Sequence, residues 1–288
     1  MNALDSVRAA RNLDDAHVGT DFAVWGHSQG GQASLFTGQL AKTYATELHL
    51  VGVAAGAPAA NLVERFKVKI ETTVGKILVS MALRSWSQVY DDAELDQIVT
   101  PTARPVVENI AENCLYNQAQ ILSSVPGSLA LKLSFLSTPP WDVAPWKSIL
   151  AENTPGATPT GVPILITQGD ADPIVAPETT AQLVDGLCGN GETVDYQLLP
   201  GVATWRPAMR PCPKSPRGSP TASPANPHPR RANDRPSAVD WMAAGSRGRA
   251  EDVRCRLGCS TRRTRSLRRD VRVRLSGHAP GGVSQPVR

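Results

Sequence analysis

The segment Gly26-His27-Ser28-Gln29-Gly30 has the spacing of a nucleophile elbow, Gly-x-Ser-x-Gly. The chemistry such a turn serves is attack of a serine hydroxyl on an acyl carbon. A tight turn between a strand and a helix lifts Oγ of Ser28 above the sheet, at the cost of a strained backbone. The positions two before and two after the serine, Gly26 and Gly30, are then expected to be small so that neighbouring chain can pass. The backbone N–H that follows the nucleophile, on Gln29, points to where an oxyanion would form. The local sequence suits this reading, because Asp21-Phe22-Ala23-Val24-Trp25 is a short apolar strand and a helix carrying Leu35, Phe36 and Leu40 follows.

A serine nucleophile needs a base to take its proton and an acid to hold that base, and in elbow enzymes the chain order is Ser, Asp, His. The acid is expected at Asp172, in Gly169-Asp170-Ala171-Asp172-Pro173, on the loop just beyond a buried strand. Asp172 fits better than Asp170, being three residues past the glycine and followed by proline and a hydrophobe. The structural alternatives for such an aspartate are a helix cap or a calcium-like ligand. The base is expected on the loop after the strand that ends near Leu199, where Ala203 and Thr204 stand instead of a histidine. The five histidines are His17, His27, His49, His228 and His278, and none is in that loop. This chemistry calls for no metal and no cofactor.

The positioning elements read as α/β. Residues 3–13 have the spacing of a surface helix, and Leu48 to Ala55 form a near-continuous apolar run suited to a parallel strand. Strand, helix and strand at this spacing make a right-handed βαβ unit. A further strand is expected over 161–168, a helix over 177–187 and a strand over 193–199. Between them, residues 61–160 change character, with helical stripes (Val74, Ile77, Leu78, Met81; Val106, Val107, Ile110, Cys114, Leu115) and repeated prolines. The expected organisation is therefore an elbow-bearing core part at 1–60, a helical insertion serving as a cap at 61–160, the rest of the core at 161–202, and a basic tail at 203–288.

Charge supports that last boundary. Residues 1–200 carry 11 basic and 21 acidic residues, whereas 201–288 carry 19 and 5. The tail is rich in Arg, Pro, Ser, Gly and Ala, a composition that cannot bury enough apolar surface to offset chain entropy. Two origins fit such a tail: a disordered basic arm for nucleic acid or anionic membrane, and translation in a shifted frame. The second is favoured, because one restored base near codon 203 lets the alternative frame read Val-Gly-His, and nucleic acid is not the expected partner. Five cysteines (Cys114, Cys188, Cys212, Cys255, Cys259) show no metal-ligand spacing. The first residues lack the apolar run of a signal peptide, and no stretch is long and apolar enough to span a membrane.

With these residues in place, the chain resembles the secretory lipase family of α/β-hydrolases. The likeness lies in Ala23–Gly31, Val51–Pro58, Pro163–Asp172 and the run from Tyr196 to Val202. The resemblance implies a partial α/β-hydrolase fold with a helical lid, secretion, and a serine ester hydrolase of the triacylglycerol lipase or carboxylesterase type. Ser28 would be the nucleophile, Asp172 the acid and Gln29 an oxyanion donor, acting on a lipid ester at a lipid–water interface. Family members hold further strands and a second oxyanion donor before the elbow, so the strand at Asp21–Trp25 is expected to lack a neighbour on one side. Without a histidine, the chain as written is expected to be nearly inactive. A peptidase or thioesterase of the same fold, and a non-catalytic binding protein with a basic tail, are the competing readings.

Overall fold

The computed structural model of the chain describes residues 1–113, 124–203 and 251–254, all within one compact unit, Met1–Leu257. In chain order the described elements are α1 (Asn2–Arg11), β1 (Asp21–His27), α2 (Gln29–Tyr44), β2 (His49–Gly56), α3 (Leu62–Lys69), α4 (Thr73–Val89) and α5 (Arg104–Glu112). They continue with α6 (Val125–Ala130), α7 (Trp146–Glu152), β3 (Ile164–Gly169), α8 (Pro177–Gly189), β4 (Val194–Leu199) and β5 (Glu251–Arg254). The strands form one sheet in the order β1-β2-β3-β4-β5; the first four are parallel and β5 is antiparallel to β4. Of the expected tail, 204–250 and 255–288 lie outside the described residues, as do Thr204, His228, His278 and the predicted stripe end at Cys114 and Leu115.

The parallel order follows from the side chains. β2 and β3 are apolar on both faces and nearly fully buried, as parallel strands sandwiched by helices must be. α2 approaches the sheet through small residues: its buried positions are Gly31, Ser34, Leu35, Thr37, Gly38 and Ala41. A Cβ at Gly38 would crowd Val53 Cγ2 at 2.7 Å. Of the expected apolar residues Leu35, Phe36 and Leu40, Leu35 is buried against the sheet and Phe36 half-buried, while the expectation for Leu40 is corrected: it faces solvent, and the inner face is completed by the small residues Gly31, Ser34, Gly38 and Ala41. α1 docks by Leu4, which is fully buried, and by Arg8, which bonds Asp5 (2.7 Å), Glu47 (2.6 Å) and the Tyr44 carbonyl (2.8 Å).

The insertion has its own apolar cluster, centred on Phe66, Ile77, Leu83, Ile98, Ile110 and Trp146, separate from the cluster around the sheet. Trp146 is fully buried and donates its Nε1–H to Gln97 Oε1 (2.8 Å), while Phe66 and Trp86 stack at 5.9 Å. The inner face of α4 runs through Ile77, Val79, Ser80 and Leu83 and includes Lys76, so Val74, Leu78 and Met81 are only half-buried. Lys76 is accommodated because its Nζ donates to the Ile70 carbonyl (2.6 Å) at the end of α3. A burial pattern read from apolar residues alone misses a lysine whose head is satisfied by backbone.

The chain leaves the insertion and re-enters the sheet through a buried acid. The Glu192 carboxylate accepts hydrogen bonds from the Thr160 amide, the Thr160 hydroxyl (3.1 Å) and the Gly161 amide (3.3 Å). Glu192→Ala is expected to destabilise the fold by about 2–4 kcal/mol in urea unfolding, because buried donors lose a charged acceptor. Glu192→Gln, which keeps one acceptor oxygen, should cost roughly half as much.

Candidate active site

The elbow is formed as its glycines demand. β1 ends at His27, and Ser28 takes φ 56° and ψ −117°, a left-handed conformation that costs a non-glycine residue about 1–3 kcal/mol. The strain is held in place by backbone bonds: the Ser28 N–H donates to Gly56 O (2.8 Å), and Ser28 O accepts from Gln32 (3.1 Å) and Ala59 (3.1 Å). Gln29 is the first residue of α2, so its N–H has no acceptor within the helix and is available to an anion. Gly26 has no room for a side chain, since a Cβ there would coincide with the Gly30 carbonyl group. The expectation for Gly30 itself is corrected. A Cβ on Gly30 would meet open space, and the second close approach belongs to Gly31, where a Cβ would stand 3.1 Å from Gly56 O and from Pro58 Cα. The reason is geometric: Gly30 contributes its backbone to the crowding at Gly26 while its own Cα faces outward.

The candidate acid sits two strands away. His27, Gly56 and Thr167 are in register across β1, β2 and β3, so the ends of β1 and β3 are level and about 10 Å apart at ~4.8 Å per strand. Asp172 lies in the loop beyond β3 and is buried. Its Oδ1 accepts the amides of Ile174 (2.8 Å) and Val175 (2.9 Å), and its Oδ2 faces Gln168 Nε2 at 3.3 Å. It caps no helix, for α8 starts at Pro177 after Ala176, although the Oδ1 bonds do make it the organiser of its own turn. Asp170, the alternative acid, is exposed and accepts the Gly201 amide (2.6 Å).

Gln168 is a positioning residue that the sequence reading missed. It is buried at the end of β3; its Nε2 also donates to the Gly169 and Val175 carbonyls, and its Oε1 accepts the Thr180 hydroxyl (2.7 Å). Its signal was available as a polar residue closing an apolar strand. Gly169 does similar work by absence, because a Cβ there would overlap the Val202 carbonyl. That carbonyl accepts the Ala171 amide (3.2 Å), which brings the loop after β4 directly against the Asp172 loop. Ala203, the next residue, occupies the place where a histidine was expected.

The insertion reaches the same corner. α3 is tied to the region beyond β3 by Asn61 Nδ2, which donates to Thr179 O (2.9 Å), and by Lys69 Nζ, which donates to Pro173 O (2.7 Å). Between them Arg65 turns toward Asp172. Burial pushes its guanidinium below the usual arginine range while the Asp172 carboxylate opposes that shift, and its Nη1 is buried without a hydrogen-bond partner. The described histidines are elsewhere: His17 and His27 are exposed, and His49 Nδ1 bonds Asp21 Oδ1 (3.0 Å). Among the described residues no cluster of His, Cys, Asp or Glu is placed to hold a metal ion, and no helix is long and apolar enough to cross a membrane. Cys188, on α8, is disulfide-bonded.

Comparison with known proteins bears on this geometry. The sequence pattern of one protein family, described as secretory lipase, matches residues 1–199. A secreted triacylglycerol lipase, LIP7, of Malassezia globosa is 32% identical over 116 residues, covering 39% of this chain and 25% of the relative. Lipase A of Arthroderma benhamiae is 30% identical over 207 residues, covering 67% of this chain and 42% of the relative. The chain thus spans less than half the length of these curated relatives. Among solved structures, lipase A of Candida antarctica matches with a TM-score of 0.58 at 20% identity, over 70% of this chain and 48% of that one. The rice cell wall degrading esterase LipA of Xanthomonas oryzae matches at 0.55 and 17%, over 71% and 56%. These structural likenesses show the fold: the sheet and its helices form part of an α/β-hydrolase fold.

Proposed function

Because this chain belongs to the secretory lipase family, we propose that it derives from a secreted serine hydrolase of lipid esters, with Ser28 as nucleophile and Asp172 as the triad acid. The observation that carries the reading is the strained Ser28 between β1 and α2, beside the unused Gln29 N–H. In such a site Oγ attacks the acyl carbonyl, the Gln29 N–H stabilises the oxyanion, and a base on the loop after β4 would take the Oγ proton and return it to the leaving alcohol. Asp172, held by Gln168 and its own turn, would orient that base. Ala203 offers no base, so turnover by this chain rests on oxyanion binding and water, a small residual rate. The bond from Lys69, at the end of α3, to the Pro173 carbonyl beside Asp172 favours a cap role for the insertion, and the Cys188 disulfide fits an oxidising compartment.

The test is covalent labelling with an alkyl phosphonate ester, which reports on the nucleophile and oxyanion donor. Stoichiometric, slow labelling that is lost in Ser28→Ala supports the reading. Absence of labelling in a cooperatively folded chain would leave a non-catalytic remnant of the fold as the better account.

A further inference from the structure

The side of α3 that meets the core is polar at three positions. Asn61, Arg65 and Lys69 are spaced four apart, and the Arg65 amide donates to the Asn61 carbonyl (2.9 Å), so the three share one face of the helix. The outer two are bonded to the backbone of the segment that starts at Asp172: Lys69 Nζ to Pro173 O (2.7 Å) and Asn61 Nδ2 to Thr179 O (2.9 Å). Arg65, between them, is held against the same turn. Its Nη1 is buried with no hydrogen-bond partner, and Asp172 is the charge that acts on its guanidinium. The other charges on the elements around it have no comparable effect on Arg65: Lys76 and Arg84 of α4, Lys147 and Glu152 of α7, Glu178 of α8, and Asp170 of the same loop. Several of these are engaged elsewhere, Lys76 with the Ile70 carbonyl and Asp170 with the Gly201 amide, while Glu178 acts on Tyr196.

We propose that Arg65 is a positioning residue that acts through Asp172: carried by the insertion, it sets the pH at which a base bonded to that carboxylate can accept the Ser28 proton. The inference rests on the reading of Asp172 as the triad acid. A carboxylate beside the base favours the base's protonated form, and a guanidinium close to the carboxylate offsets part of that negative charge. The base then releases its proton more readily, so the site keeps an unprotonated base down to lower pH. Removing the Arg65 charge leaves the full field of the carboxylate on the base. The rising limb of the rate–pH profile must therefore move to higher pH. Between groups separated by more than a hydrogen bond, such an offset is worth roughly 0.5–1 pH unit, a three- to tenfold change in proton affinity. On this account the insertion supplies a charge to the chemistry.

The test follows ester hydrolysis from about pH 5 to 8 in the full chain carrying Ala203→His, which places a base on the loop after β4. Adding Arg65→Met keeps an apolar stem and removes the charge, so the rising limb should move up by roughly 0.5–1 pH unit. Adding Arg65→Lys keeps the charge and should leave the limb within about 0.2 pH unit of its place. A role in packing alone would not separate lysine from methionine in this way. Arg65→Gln is the neutral variant to use should the methionine variant not fold. In the chain without Ala203→His, a urea double-mutant cycle over Arg65→Met and Asp172→Asn should show coupling of at least about fivefold in the unfolding constant. An unmoved limb in a folded neutral variant, or additive losses in the cycle, would overturn the inference and leave the triad reading standing. No gain from Ala203→His would overturn both.

Discussion

Ala203→His is expected to raise ester hydrolysis by about 10²–10⁴-fold over the unsubstituted chain, the usual contribution of a positioned general base. The expectation rests on the proposed triad and on the position of residue 203. The Val202 carbonyl is bonded to the Ala171 amide, so residue 203 adjoins the turn that Asp172 organises. Initial rates on a short-chain p-nitrophenyl ester would report it, since a soluble substrate removes interfacial adsorption from the measurement. The gain should vanish in Ala203→His/Ser28→Ala and shrink strongly in Ala203→His/Asp172→Asn, which leaves the imidazole in the wrong tautomer. No gain, in a variant that still labels at Ser28, would mean that a base at 203 does not reach the nucleophile.

Gly26→Ala is expected to have the largest effect of any single methyl addition at the elbow, destabilising the chain by about 4 kcal/mol or more. The new carbon would occupy the space of the Gly30 carbonyl group, which is backbone and cannot rotate aside. The turn would have to open, and Ser28 would leave its strained conformation. Loss of phosphonate labelling together with a lowered urea midpoint would report both. Gly30→Ala is the control. Its Cβ meets nothing within 4 Å and its place on α2 favours alanine, so stability should stay within about 1 kcal/mol and labelling should persist. A pattern that depended only on matching Gly-x-Ser-x-Gly would treat the two glycines alike.

The contrast between those glycines marks how far the sequence reaches. Ser28, Gln29 and Gly26 were legible because an elbow is local: a strand, a turn and a helix specify each other over about ten residues. β2 and β3 were legible because strands buried on both faces are apolar almost throughout. Asp172 was preferred to Asp170 because it stands three residues past the glycine and is followed by proline and a hydrophobe; the structure buries Asp172 and exposes Asp170. Other parts of the site depend on residues distant in the chain. Gln168 matters because Thr180 and Val175 return to it, Gly169 because the loop after β4 crosses it, and Arg65 because α3 lies along the Asp172 turn. Lys76 and Glu192 are buried where charge alone would place them outside, and only backbone groups brought from elsewhere make that tolerable.

By itself, then, the sequence determined the elements, their parallel order and the residues at the tips of β1 and β3, because hydrophobic periodicity and turn chemistry act over short spans. Only the tertiary structure decided which glycine is crowded and what holds Asp172. The setting of Asp172 depends in part on hydrogen bonds that span 104 and 118 residues, Lys69 to Pro173 and Asn61 to Thr179, whose partners no local pattern names.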